Sequence, residues 1–438
     1  MRIIYFRLAS TLFSIVVTCI TSLMLGGAAQ EAALITGVAL AIVSATAFIK
    51  LGEGTFSAGS VTSFCILVFG AGAGIYTTAG YFPLAETSTF HGLWVVLSMF
   101  LALQLLILWI CPEKVANSSN FNRISDHQIR RFAHAGLLLG AVSTALLFLN
   151  VPVIPTPMVT SAIIFLSFSL SFSKKASRKV FYATIVLVMI FAYYELFFSG
   201  FGRLNIAALL LSVAAIWSLA NPSRVAKWLT LAAVVPMLGV LSLARLAFLE
   251  EAQGRIPGQT EGIGSVVGPV GSAGAIAVAH LEQVIQPALG MTLIAAALFW
   301  VPSDLWSGKP LGFGREIVKV TQPEHLSTAE FSDAGMVVGE AIWNFGIVGG
   351  IVSLFVVAAM VRWVDCFFMN SRRSDRSLLS SQLVVLFGVV AGSMTQVIWG
   401  GAFTWSSRTV IPIVIIWLTA NMAMYTMRSQ KRDPMHCD

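Results

Sequence analysis

Charge is what this sequence has least of. Asp, Glu, Lys and Arg together make up 11% of its 438 residues, whereas a soluble domain carries about a quarter, so a soluble enzyme is excluded. Cysteine is scarce as well. The five residues Cys19, Cys65, Cys111, Cys366 and Cys437 show no CxxC or CxxH spacing. That rules out a disulfide framework or a cysteine metal site and leaves apolar packing or cytosolic thiols. No Walker loop is present, because SGKP at 307–310 lacks the earlier Gly and the Ser/Thr after Lys, and no HExxH occurs.

Apolar residues fill the space that charge leaves. They account for 57% of the chain, and the mean hydropathy is +0.84. Apolar runs lie near 8–27, 33–49, 61–80, 92–111, 132–151, 157–173, 180–198, 204–220, 226–248, 338–362, 381–398 and 409–427. A helical span needs about 20 residues. The pattern predicts an all-α polytopic membrane bundle of about 12 transmembrane helices. Residues 1–248 form spans one to nine, 249–335 a large extracytoplasmic loop, and 336–438 the last three spans and a short tail. The third run is diluted by glycine, but its Gly70-x-x-x-Gly74 spacing fits a helix-packing face. The first run follows Met1–Arg7 and resembles a signal peptide; its length reads as a retained helix.

The basic residues set the orientation. With the N-terminus cytoplasmic, 20 of the 27 Lys and Arg fall in inner loops and 7 in outer ones, while 13 of the 20 acids fall outside. This is the positive-inside pattern, with both termini cytoplasmic. The net charge of +7 is therefore topological, and no nucleic-acid partner is implied. The first outer loop, near 28–32, holds only Glu31 and offers no pair of carboxylates for a metal.

The stretch 249–335 is the exception among short connections, and loops of that length are usually functional. Residues 254–274 contain seven Gly in 21 positions, which reads either as a mobile lid or as a plain linker. The apolar run at 285–301 would invert the charge rule if it crossed the membrane, so it reads as re-entrant or interfacial. Ionisable residues within spans are costly and mark function by default. Glu195, Arg203, Arg245, Glu340 and Arg408 all fall at outer helix ends. Charge gathered there, and not at mid-depth as in a secondary transporter, points to chemistry on something presented at the external leaflet.

Arg245, Arg255 and Arg408 cluster in sequence around the long loop. Guanidinium groups hold phosphate oxygens in forked geometry, although an Arg at a helix end also snorkels to head groups. His280 and His325 are outer histidines able to take a proton or to serve as ordinary surface residues. Glu340, in GEAIWNFG, is either a base or a carboxylate favoured by a helix dipole.

The segment WVPSDLWSGKPLGFG (300–314), followed by AEFSDAGMVVGEAIWNFGIVGGIV (329–352), is similar to the O-antigen polymerase family, the oligosaccharide repeat-unit polymerases of bacteria. The matching positions are Pro302, Trp306, Lys309-Pro310, Gly339-Glu340 and Asn344-Phe345-Gly346 to Gly349. The RTVIPI start of the last span resembles the family's Arg at that position, and Arg245 resembles the helix-end Arg before the loop. The resemblance implies a metal-independent membrane glycosyltransferase without cofactor, in the bacterial inner membrane with its active site facing the exterior. It would move a growing glycan from polyprenyl pyrophosphate to a new lipid-linked repeat. Arg245, Arg255, Arg408 and Lys309 would bind pyrophosphate, and Glu340, His280 or His325 would be the base. Membrane lipid and a chain-length regulator protein are the candidate further partners. The rival readings are an O-antigen ligase and a lipid-linked oligosaccharide flippase, the latter disfavoured by the long outer loop.

Overall fold

The computed structural model describes residues 2–81, 87–113, 124–151, 154–197, 203–234, 236, 264–302, 305–309, 312–321, 334–373 and 377–430. Every regular element among them is a helix. In chain order these are α1 (Arg2–Met24), α2 (Ala29–Lys50), α3 (Ala58–Cys65), α4 (Thr87–Ile110), α5 (Asp126–Phe148), α6 (Pro155–Phe172), α7 (Ala176–Phe197), α8 (Arg203–Ala220) and α9 (224–234). Then come α10 (Gly264–Leu281), α11 (Met291–Ala297), α12 (Phe313–Thr321), α13 (Met336–Arg373), α14 (Ser377–Gly392) and α15 (Met394–Gln430). Beyond Cys65 the axis of α3 continues through wide π-helical turns, Ile66–Gly72 and Thr77–Tyr81.

Nine helices among the described residues are long and apolar enough to cross a membrane: α1 to α7, with α3 extended to Ala79, then α13 and α15. The chain is a polytopic helical membrane protein. Shorter apolar helices, Leu204–Ala220 and Ser381–Gly392, stand on two more of the expected runs. Of the ninth run, only 226–234 and 236 fall within the described residues. The core is built on α2, α3, α4 and α6, where Phe48, Phe56, Phe100, Phe165 and Phe168 are fully enclosed. By contrast α1 and α7 leave large apolar side chains such as Leu23, Leu187 and Phe191 exposed, as suits helices bordered by lipid.

Glycine sets how closely these helices approach. A Cβ on Gly74 would lie 2.7 Å from Leu97 of α4, and one on Gly70 would touch Leu40 and Phe100, so the Gly70-x-x-x-Gly74 face does pack. The closest crossing joins α4 to α10, where a Cβ on Gly92 would fall 2.0 Å from the Gly274 carbonyl oxygen. From residue 264 on, this corrects the reading of the Gly-rich stretch as mobile, while its first part, 254–263, lies outside the described residues. Residues 264–274 begin α10, whose Val270, Ala273, Ile276 and Ala277 are buried. In a bilayer small residues favour close packing instead of looseness, and composition alone does not distinguish the two. The run at 285–301 behaves as expected of a segment that does not span: its helix, α11, has only seven residues. Thr292, Ala295 and Ala296 face inward while Met291, Leu293 and Ile294 stay exposed.

Charged side chains from distant parts of the chain close the helix ends on the side that carries most of the Lys and Arg. The Lys227 ammonium, fully buried, donates to the carbonyls of Phe48 (2.7 Å) and Leu51 (2.5 Å) at the C-terminus of α2. It also stands 5.3 Å from the Phe48 ring centroid. Arg362 donates to the Ile110 carbonyl (2.5 Å) and Arg7 to that of Cys111 (3.2 Å), closing α4. At the opposite polarity the fully buried Asp365 accepts from the backbone N–H of Ala58 (2.8 Å) and Gly59 (3.0 Å), opening α3. Cations at C-termini and an anion at an N-terminus complement the helix dipoles and satisfy groups that have no partner within their own helix.

Removing Asp365 should therefore unpin α3. Asp365→Ala leaves two buried N–H groups without an acceptor and is expected to cost about 2–4 kcal/mol. Asp365→Asn, which keeps one acceptor oxygen, should cost less. Thermal unfolding of the detergent-purified variants should rank wild type above Asn above Ala; equal midpoints for all three would show that the cap contributes nothing.

Candidate functional site

One helix contact prepares a cavity. Gly388 and Gly392 of α14 form a second small-residue face: a Cβ on Gly388 would lie 2.4 Å from Ile216 of α8, and one on Gly392 2.1 Å from the Ser212 hydroxyl. This close crossing brings the first turn of α8, with Asn205, beside the start of α15, with Gln396. The Gln396 amide donates to Asn205 Oδ1 at 3.1 Å. Around this pair lies a cavity of about 180 Å³, bounded by α6, α7, α8, α14 and α15.

Arg408 is the charged residue of that cavity. Its described lining otherwise consists of neutral groups, among them Tyr193, Asn205, Gln396, Ser407 and Thr409, with no Asp, Glu, Lys or His. Among the described residues no carboxylate pairs with the Arg408 guanidinium and no hydrogen bond holds it. Arg408 is half-buried, and a guanidinium in a membrane bundle with no described counter-charge is available to an anion. Pro412, which also lines the cavity, lacks an N–H, so it cannot make the helical bond to the Arg408 carbonyl.

The helix bearing Arg408 is held from its other end by Glu340. Both α13 and α15 are broken, the first at Phe345 and Gly346 and the second at Gly401 (φ 77°). Glu340 precedes the first break and is 1% exposed. Its Oε2 accepts the Ala402 N–H at 2.5 Å, at the start of the long half of α15, and its Oε1 accepts the Thr292 hydroxyl at 3.0 Å. Asn344 ties the same corner, donating to Thr292 Oγ1 (2.6 Å) and to the Glu340 carbonyl (2.8 Å). A Cβ on Gly401 would stand 2.2 Å from the Glu340 carboxylate, so only glycine allows this clasp. Glu340 is thus a helix-terminus carboxylate, acting on α15 and not on its own helix.

The sequence-derived residues divide between these two places. His280, in the last turn of α10, bonds the Trp343 carbonyl, and its Nε2 is buried without a partner. It stands with Glu340 at the clasp, and neither residue lines the Arg408 cavity. Lys309 donates to the carbonyls of Phe299 (3.0 Å) and Val301 (2.5 Å), stapling the chain after α11, and it too is absent from the cavity lining. Arg245, Arg255 and His325 lie outside the described residues. Of the two described cations proposed for pyrophosphate, Arg408 lines the cavity and Lys309 does not. Sequence reasoning passed over Tyr193, Asn205, Gln396 and Thr409, because it weighed ionisable groups alone; amides inside apolar runs were the available signal.

If Glu340 acts as a clasp, Glu340→Ala should lower stability by about 3 kcal/mol, from a lost cap and orphaned donors, with Glu340→Gln intermediate. Unfolding midpoints of the purified variants check this. An Ala variant as stable as wild type but inactive would instead assign Glu340 to acid–base chemistry. Comparison of the chain with family models, curated proteins and solved structures finds no match in any of the three.

Proposed function

We propose that this protein polymerises lipid-linked oligosaccharide repeat units, transferring the growing glycan from polyprenyl pyrophosphate to a new lipid-linked repeat at the outer face of a bacterial inner membrane. The observation that supports the reading is the half-buried Arg408 guanidinium, which lines a cavity whose other described lining residues are neutral and which has no described carboxylate paired with it. Its natural complement is an anion, and a planar fork matches phosphate oxygens.

Size narrows the ligand. Pockets for whole small molecules run to about 300–1,000 Å³, so a cavity of about 180 Å³ accommodates an anionic head group and leaves glycan and prenyl chain outside. In the transfer, the bond between the anomeric carbon and phosphate oxygen breaks, and the diphosphate departs with the electron pair. The acceptor oxygen bonds to that carbon, and its proton passes to a base. A fixed guanidinium stabilises the charge that develops on the leaving group. No carboxylate stands among the described lining residues. Among the described candidates His280 has an uncommitted ring nitrogen, whereas both Glu340 oxygens are engaged.

Arg408→Ala should reduce chain growth by roughly 100-fold or more while the protein still accumulates in the membrane. Arg408→Lys, which keeps the charge but loses the fork, should retain a fraction. The readout is the ladder of surface glycan lengths in a strain depleted of the native gene. Single repeats on the acceptor after depletion support polymerisation; intact polymer stranded on carrier lipid would indicate a ligase instead. A full ladder with Arg408→Ala would end the proposal.

A further inference from the structure

We propose that the rim where α5 begins, α6 ends and α7 begins, on the side that carries most of the Lys and Arg, is a binding site for the head group of an anionic phospholipid. The inference is independent of the Arg408 cavity and of the reaction assigned to it.

Three contacts bring these helix ends together. The Ser169 hydroxyl, near the end of α6, stands 3.0 Å from the Ile129 carbonyl oxygen of α5. Arg178, in the first turn of α7, donates to Asp126 Oδ2 of α5 at 3.0 Å. Deeper in the bundle a Cβ on Gly140 of α5 would lie 2.7 Å from the Met189 methyl of α7. Lys174 and Lys175 occupy the turn between α6 and α7, and Lys179 stands one helical turn beyond Lys175; all three are exposed. On the neighbouring end of α5 Arg130 is exposed, with His127 and His134 at helical spacing on the same face.

These charges are not matched within the protein. Lys174, Lys175, Lys179 and Arg130 pair with no carboxylate among the described residues. Asp126, the acid of this rim, is committed to Arg178. Among the other described acids on this side, Glu53 pairs with Arg224, and Asp365 is enclosed by backbone N–H groups. Glu113 follows α4, which packs on α2, α10 and α13 instead. A helix dipole favours acids in the first turn and cations in the last. α7 does the reverse, with no acid in its first turn and four cations between 174 and 179. An external anion relieves that repulsion.

The level of the rim selects the occupant. Val180 and Phe181 follow Lys179 directly and are 67% and 55% exposed, and the span of α7 is only 17% buried. Cations at the edge of a lipid-facing apolar surface meet phospholipid head groups first. Basic pockets between helices at this level suit phospholipids that carry more than one phosphate. An acidic protein would have to reach the same charges across those head groups.

The test is lipid retention by the purified full-length protein in a neutral detergent, where no charged bilayer surface competes. Cardiolipin, phosphatidylglycerol and phosphatidylcholine are titrated separately, and bound lipid is counted by native mass spectrometry. The wild type should hold cardiolipin most tightly and phosphatidylcholine least. Lys174→Ser and Lys179→Ser should each weaken cardiolipin binding roughly five-fold, and combining Lys174→Ser, Lys175→Ser and Lys179→Ser should weaken it roughly 100-fold. Lys50→Ser should leave it unchanged, because Lys50 is exposed at the end of α2, which packs on α1, α3 and α4. Unfolding midpoints of all these surface variants should match wild type. Equal losses in Lys50→Ser and Lys174→Ser would show diffuse attraction to positive charge and overturn the inference. Equal affinity of the wild type for cardiolipin and phosphatidylcholine would overturn it as well and leave the rim to an acidic protein.

Discussion

A helix that ends inside a bilayer protein leaves N–H and C=O groups without partners, and hydrocarbon offers no water to satisfy them. This chain meets that constraint with charged side chains borrowed from elsewhere. Lys227 closes α2, Arg7 and Arg362 close α4, Asp365 opens α3, and Glu340 opens the long half of α15. Each of these charges is balanced by backbone dipoles. They fix where helices start and stop, and so where every other side chain comes to lie.

Arg408 differs from them in this respect. It sits within α15, six residues after the Ala402 N–H that Glu340 holds, where there is no helix end to close and no described carboxylate to meet. Its helix is therefore anchored while its charge is left open to the cavity. Rigid support with an unmatched charge is the arrangement expected of a group kept for a ligand, since preorganised donors cost little to use when the anion arrives. Lys309, equally basic and equally close to the long loop in sequence, is committed to the carbonyls of Phe299 and Val301.

Glycine carries the second layer of the design. Gly92 against Gly274 docks α10 into the bundle, and Gly388 with Gly392 seats α14 on α8. The latter crossing aligns Asn205 with Gln396 and so produces the polar wall facing Arg408. A stretch that reads as loose by composition is here a close-packed surface, because without water between helices contact depends on how near two backbones can come. The Gly264–Gly274 segment and the Gly70-x-x-x-Gly74 face obey the same rule, although only the second shows it as a short regular spacing.

The membrane class, the approximate positions of the spans and the asymmetry of Lys and Arg follow from the sequence by itself. Hydropathy and charge add along the chain and need no knowledge of what meets what. The short helix at 291–297 was legible for the same reason, since a crossing there conflicts with the charge rule. The site was legible only in part. Arg408 could be named as an outer helix-end cation, but that it lines a cavity with no described carboxylate partner, while Lys309 is held by backbone carbonyls, is a property of contacts. Those contacts join residues far apart: Asp365 and Ala58 differ by 307 positions, Gln396 and Asn205 by 191. Only the tertiary fold decides such pairings, because a hydrogen bond or a counter-charge is set by distances in space, and no local pattern of residues encodes them.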